Sequence, residues 1–308
     1  MYDLIIIGGG PAAAAGAVYA ARKQLKSILI TPEFGGQSTV SETIYNWIGT
    51  PEIGGAELGA NLKKHIMYYK GPFLDIVEGE KAVGIVKNEK GFTIKSDNGK
   101  EYNALTVLVT TGSGRRKLEA TNADVFENKG ITYCASCDGP LFSGMDVVVI
   151  GGGNAGFESA AQLLAYCKSV TLINRSETFR ADEITVEKVL ANPNMKVIKN
   201  AVTTRVDGEQ FVSTLTYRDT NTNEEHSIPA SGIFVEIGQI PNTDFVKGVV
   251  PLDDINKIIV DPMTQASQVP GVWAAGDCTN GKYHQNNIAT GDAVKALEDI
   301  YMWIQRNK

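Results

Sequence analysis

Two short apolar runs, each followed at once by a glycine-rich turn, constrain the fold of this chain more than any other feature. The runs and the key turn positions are Leu4–Ile7 with Gly8, Gly10 and Ala13, and Val147–Ile150 with Gly151, Gly153 and Gly156. A continuous apolar run of this length is typical of a strand buried on both faces of a parallel sheet. The glycines allow a tight turn and let backbone N–H groups approach a pyrophosphate at the start of a helix. The pattern therefore predicts two dinucleotide sites.

The residues after the first turn extend this pattern. Ala12–Ala21 is rich in alanine and has high helix propensity. Ser27–Ile30 reads as a second strand, and Glu33 lies just past its end, roughly where an acidic side chain would hold an adenosine ribose. Strand, turn, helix, strand and acid thus follow in the order that a dinucleotide-binding unit requires.

The second turn has a different continuation. Its second strand, Val170–Ile173, ends in Asn174 with no acid directly at the strand end, although Glu177 is close. Arg175 and Arg180 follow, and guanidinium groups at this place favour a ribose 2′-phosphate. The alternative is that both arginines are solvated surface charges.

The remaining strands indicate a nested arrangement. Residues 73–102 contain short alternating runs and a hairpin turn at Asp97–Lys100, which we interpret as a small antiparallel insertion. Leu105–Thr110 returns as an apolar strand, and Gly271–Asp277 repeats the strand-then-glycine pattern near the end. We therefore predict an α/β fold of two nested Rossmann-like domains with small antiparallel insertions. The outer domain comprises residues 1–112 and 243–308, and the inserted domain comprises residues 113–242.

Composition excludes several classes of protein. The formal net charge of −6 argues against a nucleic-acid partner, and no apolar run approaches the length of a membrane span. The N-terminus has no basic region and enters a strand directly, so we expect no signal peptide. Four cysteines are too few and too scattered for a disulfide framework, which favours a cytoplasmic location.

In such a compartment, the pair Cys134 and Cys137 is more often catalytic or metal-binding than structural. A dithiol beside a dinucleotide site suggests that electrons pass between a cofactor and a disulfide. The alternatives are a structural disulfide or half of a zinc site. Zinc needs about four ligands, and Cys167 and Cys278 are isolated, so we expect no metal. Asp138 is placed to give a proton to a leaving thiolate or to take one from it.

Taken together, these motifs resemble the low-molecular-weight thioredoxin reductases over nearly the whole chain. The segments that carry the resemblance are GGGPAA at 8–13, GGQ at 35–37, NWIG at 46–49, TTG at 110–112, CASCDG at 134–139, GGGNAG at 151–156, the turn 238–242 and AAGDC at 274–278. CDGPLF at 137–142 and the stretch 270–291 are also similar to the C-terminal part of the flavoprotein subunit of alkyl hydroperoxide reductase. That subunit has an additional N-terminal thioredoxin-like region, which this sequence lacks. We therefore expect the dithiol to reduce a separate protein.

The resemblance implies FAD in the outer domain and NADPH, with NADH possible, in the inserted one. It implies a homodimeric thioredoxin-disulfide reductase that passes electrons from NAD(P)H through FAD and the Cys134–Cys137 pair to thioredoxin or to a thioredoxin- or glutaredoxin-like protein. Two departures keep alternatives open, because Ser176 replaces an expected arginine and His284 replaces an expected Arg or Lys. The alternatives are the reductase of a peroxiredoxin system and a ferredoxin-dependent enzyme that does not use nicotinamide.

The resemblance also assigns the candidate site residues. Cys137 would face the flavin, Cys134 would attack the partner, and Asp138 would complete the catalytic set. The candidate cofactor contacts are Gly8, Gly10, Pro11, Ala12, Ala13, Glu33, Gly35, Gly36, Gln37, Asn46, Thr111, Gly112, Gly151, Gly153, Asn154, Ala155, Gly156, Arg175, Arg180, Gly238, Gly276, Asp277, His284, Gln285 and Asn286.

Overall fold

The computed structural model describes residues 1–41 and 43–307. The chain divides into two compact units. The outer unit consists of Met1–Gly114 and Ile240–Lys308, and the inserted unit is Arg115–Gln239. Each unit has its own sheet and its own hydrophobic core, so each is described separately.

The first segment of the outer unit alternates strands and helices before it ends in three consecutive strands. Its elements are β1 (Tyr2–Ile7), α1 (Pro11–Arg22), β2 (Ser27–Thr31), α2 (Gly55–Tyr68), β3 (Leu74–Glu78), β4 (Ala82–Asn88), β5 (Gly91–Ser96) and β6 (Glu101–Val109). A short strand, β7 (Ser113–Arg115), leads into the inserted unit.

The inserted unit begins with a two-residue strand and the short helix that carries the dithiol. Its elements are β8 (Ile131–Thr132), α3 (Ala135–Asp138), β9 (Asp146–Ile150), α4 (Asn154–Leu163), β10 (Ser169–Ile173), α5 (Glu183–Leu190), β11 (Met195–Ile198), β12 (Ala201–Gly208), β13 (Val212–Asp219), β14 (Glu225–Pro229) and β15 (Gly232–Val235). The chain then passes through β16 (Gln239–Pro241) and returns to the outer unit as β17 (Val272–Ala274) and α6 (Asn286–Asn307).

Within the described residues, the outer unit is built on a seven-stranded sheet in the order β3-β2-β1-β6-β5-β4, with β17 also paired to β6. Strand β1 is parallel to both neighbours, β2 and β6. Strand β17 is parallel to β6 and aligns Val272 with Val107. The segment after the inserted unit therefore completes the sheet that the first segment begins, and this agrees with the nested fold predicted from the sequence.

One part of the predicted antiparallel insertion is wrong. Strand β3 pairs in parallel with β2 at the sheet edge, aligning Ile76 with Leu29, and only β4 and β5 form the antiparallel hairpin that leads into β6. The alternation that suggested a hairpin strand comes from edge exposure, because Leu74 is buried while its neighbour Asp75 faces outward. Helix α2 supplies the crossover that a parallel strand needs.

Helices cover one face of the outer sheet. Helix α1 is buried at nearly every position, because its small side chains let it pack between the sheet and α6. Helix α6 contributes buried residues such as Ala293 and Leu297 to the same core. The other face packs against residues near Val246 and Ile258, in a core that also includes side chains of β4 and β5 such as Ile85 and Ile94.

The inserted unit, whose residues 115–239 are all described, has a five-stranded parallel sheet in the order β11-β10-β9-β15-β8 and a three-stranded antiparallel sheet, β12-β13-β14. Helix α4 packs on one face of the parallel sheet through buried residues that include Phe157 and Leu163. The antiparallel sheet contributes to the core on the other side through Val206 and Leu215. The connecting strands β7 and β16 pair with each other. No helix within the described residues is long and apolar enough to cross a membrane.

Candidate functional site

The outer unit contains a cavity of about 560 Å³ at the carboxyl ends of β1 and β2. Ligands of open α/β sheets bind at this edge. The predicted flavin contacts that line the cavity are Gly8, Gly10, Pro11, Ala12, Glu33, Gly36, Gln37, Thr111, Gly112, Gly276, Asp277 and Asn286. They come from both segments of the outer unit, and the fold brings them to one place.

The geometry at Gly10 and Gly36 leaves room for a large anionic ligand. A Cβ atom built on Gly36 would lie 3.2 Å from the Gly10 Cα, so two bare backbones face each other on the cavity wall. Gly10 is also the N-cap of α1, which has no side-chain cap and no acidic residue in its first turn. The unpaired N–H groups of this turn are therefore available to a pyrophosphate. The cavity residues fit FAD, and the exposed Glu33 lies on the cavity wall, where its carboxylate could accept hydrogen bonds from ribose hydroxyls.

Five predicted flavin contacts lie outside the cavity lining, namely Ala13, Gly35, Asn46, His284 and Gln285. Asn46 and Gln285 lie side by side, since the Asn46 amide donates to Gln285 Oε1 at 3.0 Å. Ser38 similarly donates to Asn286 Oδ1 at 3.2 Å. These polar pairs join the loop after β2 to the start of α6.

Sequence reasoning missed several lining residues, namely Thr31, Ser38, Lys81, Val83, Ser113, Asp244 and Phe245. Asn242, noted only as part of a turn, also lines the cavity. It exchanges hydrogen bonds with Thr111, whose hydroxyl donates to the Asn242 carbonyl at 2.7 Å while the Asn242 amide donates back at 2.9 Å. The only sequence signal for this contact was the dipeptide Pro241-Asn242, which follows the turn at Gly238.

The inserted unit repeats the turn at the end of β9. Gly153 is the N-cap of α4, again without a side-chain cap. A Cβ atom at Gly153 would meet no heavy atom within 4 Å, so this side of the turn is open. Asn154 has a structural role, because its Oδ1 accepts a hydrogen bond from the Asp182 N–H at 2.8 Å. Ala155 is exposed on the first turn of α4, and Gly156 is buried against the Gly151 carbonyl.

The loop after β10 presents the two arginines. Arg175 and Arg180 are exposed, and neither forms an ion pair with any residue that the structure describes. Glu177 is engaged elsewhere, because Asn200 and Lys199 donate to its carboxylate at 2.6 and 3.3 Å. The Arg180 N–H donates to the Gly152 carbonyl at 2.9 Å, which holds the loop against the glycine turn. The charges that this loop offers to a ligand are therefore positive.

Cys134 and Cys137 form a disulfide, with their Cα atoms 5.3 Å apart. Both side chains are partly exposed. The Cys137 N–H donates to the Cys134 sulfur at 3.2 Å, and Cys134 is the N-cap of α3. A hydrogen bond to sulfur favours the charged form of a thiol, so the reduced Cys134 would have enhanced thiolate character.

Asp138 lies beside the dithiol, and the Thr132 hydroxyl forms hydrogen bonds with both Asp138 and Cys134. The Thr132 hydroxyl donates to Asp138 Oδ2 and accepts a weak bond from the Cys134 N–H at 3.4 Å. Burial raises the pKa of Asp138, while the Thr132 hydrogen bond and the positive charge of Arg115 oppose this rise. A carboxyl in such a site can hold a proton and release it.

Two charged residues near the dithiol were not predicted. Arg115 is half-buried and stacks on Tyr133, with its guanidinium carbon 5.6 Å from the ring centroid. Glu236, directly after β15, accepts a hydrogen bond from the Ser159 hydroxyl at 2.6 Å. Burial raises the pKa of Glu236 to about 7, against the opposing effects of Ser159 and Arg115. Gly238, a predicted cofactor contact, is exposed in the turn after Glu236.

The other cysteines lie in apolar surroundings. Cys167 and Cys278 are buried and reduced. Burial raises the pKa of each thiol to about 11, which makes both of them poor nucleophiles. Across residues 1–41 and 43–307, no group of three or more His, Cys, Asp or Glu side chains could hold a metal ion.

Several known proteins are similar to this chain in sequence or in fold. The family model described as pyridine nucleotide-disulphide oxidoreductase matches residues 2–293. The chain is 37% identical to a Bacillus subtilis protein named NADH dehydrogenase and 38% identical to a subunit of the alkyl hydroperoxide reductase from Staphylococcus aureus. Each comparison covers 306 residues, which is 99% of the chain. The chain spans only 59% and 60% of the length of these two relatives. The crystal structure of thioredoxin reductase from Streptococcus pyogenes superposes with a TM-score of 0.91 at 28% identity, covering 99% of both chains.

Proposed function

The chain belongs to the pyridine nucleotide-disulphide oxidoreductase family, and on that premise we propose that it is a flavoprotein disulfide reductase of the thioredoxin reductase type. Its protein substrate is the disulfide of thioredoxin or of a thioredoxin-like protein. The electron donor is NADPH. The observation that carries the proposal is the disulfide between Cys134 and Cys137, with a partly buried carboxyl, Asp138, linked to it through Thr132.

FAD held by the cavity residues, among them Gly10, Gly36 and Asp277, would supply the chemistry that transfers two electrons from reduced nicotinamide to the disulfide. With two protons, these electrons break the S–S bond and leave Cys134 and Cys137 as thiols. The Cys134 thiolate attacks one sulfur of the partner disulfide, and the Cys137 thiolate then displaces the partner from the mixed disulfide. The enzyme disulfide re-forms, and the partner leaves as a dithiol. Asp138 supplies a proton to the leaving thiolate and recovers it in the next cycle.

The preference for NADPH rests on the loop after β10. Arg175 and Arg180 are exposed there without ion pairs to any described residue, while Glu177 is already bound to Lys199 and Asn200. A ribose 2′-phosphate would gain charge-assisted hydrogen bonds from the two guanidinium groups. NADH is the second candidate, since one relative carries the name NADH dehydrogenase. A ferredoxin-dependent reaction has less support, because the complete strand–turn–helix geometry of a nucleotide site is present at Gly151–Gly156.

The reductase of a peroxiredoxin system is the alternative for the protein substrate. It is favoured by the 38% identity to the Staphylococcus aureus alkyl hydroperoxide reductase protein. Thioredoxin is favoured by a structural match that covers 99% of both chains. We further propose that the enzyme is a cytoplasmic homodimer.

The test separates the two half-reactions. Cys134→Ser and Cys137→Ser should each abolish reduction of the protein disulfide, while NADPH still bleaches the flavin absorbance in stopped-flow experiments. Cys167→Ala is the matched control, because this thiol is buried and its pKa is about 11, so full turnover should remain. Wild-type turnover in either serine variant would remove that cysteine from the proposal. Bleaching by reduced ferredoxin but by neither nicotinamide would overturn the proposed donor.

Asp138→Asn tests the proton transfer. General acid–base catalysis contributes about 10²–10⁴-fold, so we expect the disulfide-exchange step to slow on the order of a hundredfold. Flavin reduction by NADPH should be unchanged. The pH dependence of the exchange rate should lose the ionisation that belongs to this carboxyl, whose pKa burial raises. An unchanged pH profile would show that Asp138 does not transfer the proton.

A further inference from the structure

Three ionisable side chains lie close to one another in series, the first on the wall of the outer-unit cavity and the other two behind it. Asp277 lines the cavity. His284 follows, with its Nδ1 atom 3.5 Å from Asp277 Oδ1. Lys257 completes the series, with its Nζ atom 2.7 Å from His284 Nε2. The lysine is only 8% exposed, which is unusual for this residue type.

Hydrogen-bond chemistry restricts the protonation of this series. An ammonium group only donates, so His284 Nε2 must accept the bond from Lys257. The imidazole is then neutral and carries its hydrogen on Nδ1, the nitrogen that faces Asp277. A protonated imidazole would require a neutral amine on Lys257. The lysine and the histidine therefore carry at most one positive charge between them, because two facing donors at 2.7 Å would repel each other.

The surroundings of Lys257 determine whether that charge is balanced. Burial lowers the pKa of Lys257, and the nearby groups Asp277, Asp253 and Cys278 oppose this effect. Asp253 also accepts the Lys257 backbone N–H at 2.8 Å, which holds the loop in place. The Cys278 thiol has a pKa raised to about 11 by burial, so it is neutral. The charge on the pair is thus balanced mainly by two carboxylates, one of which belongs to the cavity wall.

We propose that Lys257 is a positioning residue for the flavin site, which holds His284 as its neutral Nδ1–H tautomer beside Asp277 and places one buried positive charge behind the cavity wall. His284 stands where the resemblance leads us to expect Arg or Lys. Lys257 supplies the missing cation from a different segment of the chain. This role concerns cofactor binding and does not depend on which protein disulfide is reduced.

The proposal has a consequence for FAD, which rests on FAD occupying the cavity. Reduced flavin carries more negative charge than oxidised flavin, so a fixed cation near the site binds the reduced form more tightly. Lys257→Met removes the charge and keeps a long apolar side chain in the buried position. We expect the ratio of the FAD dissociation constants, reduced over oxidised, to rise about tenfold, a shift of about 30 mV for a two-electron couple.

The first experiment determines the tautomer directly. The chain has only three histidines, and His65 and His226 are exposed, so substituting each of those in turn assigns the signals of His284. In ¹⁵N-histidine NMR spectra of the FAD-loaded protein, His284 should be neutral with its hydrogen on Nδ1. In Lys257→Met it should change tautomer or become protonated. An Nε2–H tautomer in the wild-type protein would overturn the proposal without any Lys257 variant.

The second experiment measures the flavin potential by equilibrium titration against a redox dye. Lys295→Met is the control, because Lys295 is an exposed lysine on α6 of the same unit. This control should leave the potential unchanged, whereas Lys257→Met should lower it. The measured potentials give the ratio of the FAD dissociation constants, reduced over oxidised. If this ratio in Lys257→Met is within twofold of the wild-type ratio, the electrostatic role is refuted. Neither experiment uses a nicotinamide or a protein substrate, so failure here is separate from failure of the proposed reductase activity.

Discussion

The two units place different side chains at corresponding positions of one backbone motif. The strand registers define the correspondence, since Ile7 aligns with Ile30 and Val109, while Ile150 aligns with Ile173 and Val235. The matched positions are therefore Gly8 with Gly151, Thr31 with Asn174, and Thr110 with Glu236. The first pair is the same because a Cβ atom at either glycine would lie within 2.3 Å of the carbonyl oxygen of Thr110 or Glu236. The other two pairs differ.

At the end of the second strand, the difference concerns which charge is left for a ligand. In the outer unit, Thr31 donates to the Glu33 carbonyl, and the Glu33 side chain lines the cavity. In the inserted unit, the Asn174 amide donates to the carbonyls of Ser176 and Thr178, which stabilises a loop that presents exposed arginine. An acid on a cavity wall suits a bound cofactor, whereas exposed cations suit a nucleotide that binds and leaves.

At the end of the neighbouring strand, the difference concerns ionisation. Thr110 donates its hydroxyl to the Ile7 carbonyl and cannot titrate near neutrality. Glu236 occupies the matched position with a carboxyl whose pKa burial raises to about 7. The inserted unit therefore accepts a cost in stability at the same place where the outer unit has a neutral hydrogen bond.

The largest expected effect comes from filling the two glycine turns. Gly10 and Gly153 have similar extended backbones that valine can adopt, and neither would bring a Cβ atom closer than 3.9 Å to a neighbouring heavy atom. Gly10→Val should weaken FAD binding at least a hundredfold, because the side chain would enter the cavity. Gly153→Val should retain FAD and raise the KM for NADPH at least tenfold. Absorbance near about 450 nm and steady-state kinetics give the two readouts. Normal FAD content in Gly10→Val would show that the turn of the outer unit does not hold the flavin, so that the two turns would not differ in the proposed way.

The next effect is on stability and tests the Thr110–Glu236 difference. The pKa of Glu236 is raised from 4.5 to about 7, so the folded state binds the proton more tightly than the unfolded state. Stability from this proton is present below about pH 4.5 and is lost as the pH rises to about 7. Glu236→Gln cannot ionise and avoids this loss, which is on the order of 3 kcal/mol. Urea unfolding at pH 5 and pH 8 should show the variant gaining on the wild type at the higher pH. If the free energies of unfolding of Glu236→Gln and the wild type differ by the same amount at both pH values, the raised pKa is contradicted.

A smaller effect separates the two nicotinamide cofactors. Arg175→Ala and Arg180→Ala should each raise the KM for NADPH about tenfold, as expected from losing a hydrogen bond to a charged group worth about 1.5 kcal/mol. The KM for NADH should change little. Lys188→Ala, which removes an exposed cation on α5, is the control and should affect neither. An equal rise in the KM for NADPH and for NADH would show that the arginines do not bind the 2′-phosphate.

The smallest effect concerns how the arginine loop is held. Asp182 caps α5 by accepting the Thr185 N–H at 3.1 Å, and its own N–H is bound by Asn154. Helix α1 of the outer unit has no such side-chain cap. Asp182→Ala should lower the free energy of unfolding by about 1 kcal/mol, measured by urea denaturation. An unchanged unfolding midpoint would show that the hydrogen bond from the Asp182 N–H to Asn154 is sufficient to hold the loop.

Local sequence signals were enough to predict both glycine turns, the dithiol and the nesting of the fold. The turns and the dithiol each depend on residues within a few positions of one another, such as Cys134 and Cys137, whereas the nesting was inferred from a strand pattern that recurs at Leu105–Thr110 and Gly271–Asp277. The direction of β3 was missed because an edge strand and a hairpin strand show the same alternation of buried and exposed residues. Only long-range pairing with β2 distinguishes the two.

The buried charges were beyond the reach of sequence reasoning for a related reason. Lys257 lies 27 residues before His284, and Glu236 lies 77 residues after Ser159. Nothing in the sequence marks the Lys257 side chain itself as buried, because Asp253 and Asp254 precede it and the apolar run Ile258–Val260 that follows predicts burial only for its own side chains. Their burial arises when distant segments pack, and the chemistry of each group depends on that burial.

The nested connectivity also sets the order in which the protein can be completed on the ribosome. All strands of the inserted unit are synthesised before β17 and α6 of the outer unit. Until those last elements emerge, the β6 edge that β17 will occupy stays unpaired, and the face of α1 that α6 will cover stays exposed. The outer unit is therefore started first and completed last. During synthesis, all strands of the inserted unit are present while the outer sheet still lacks β17.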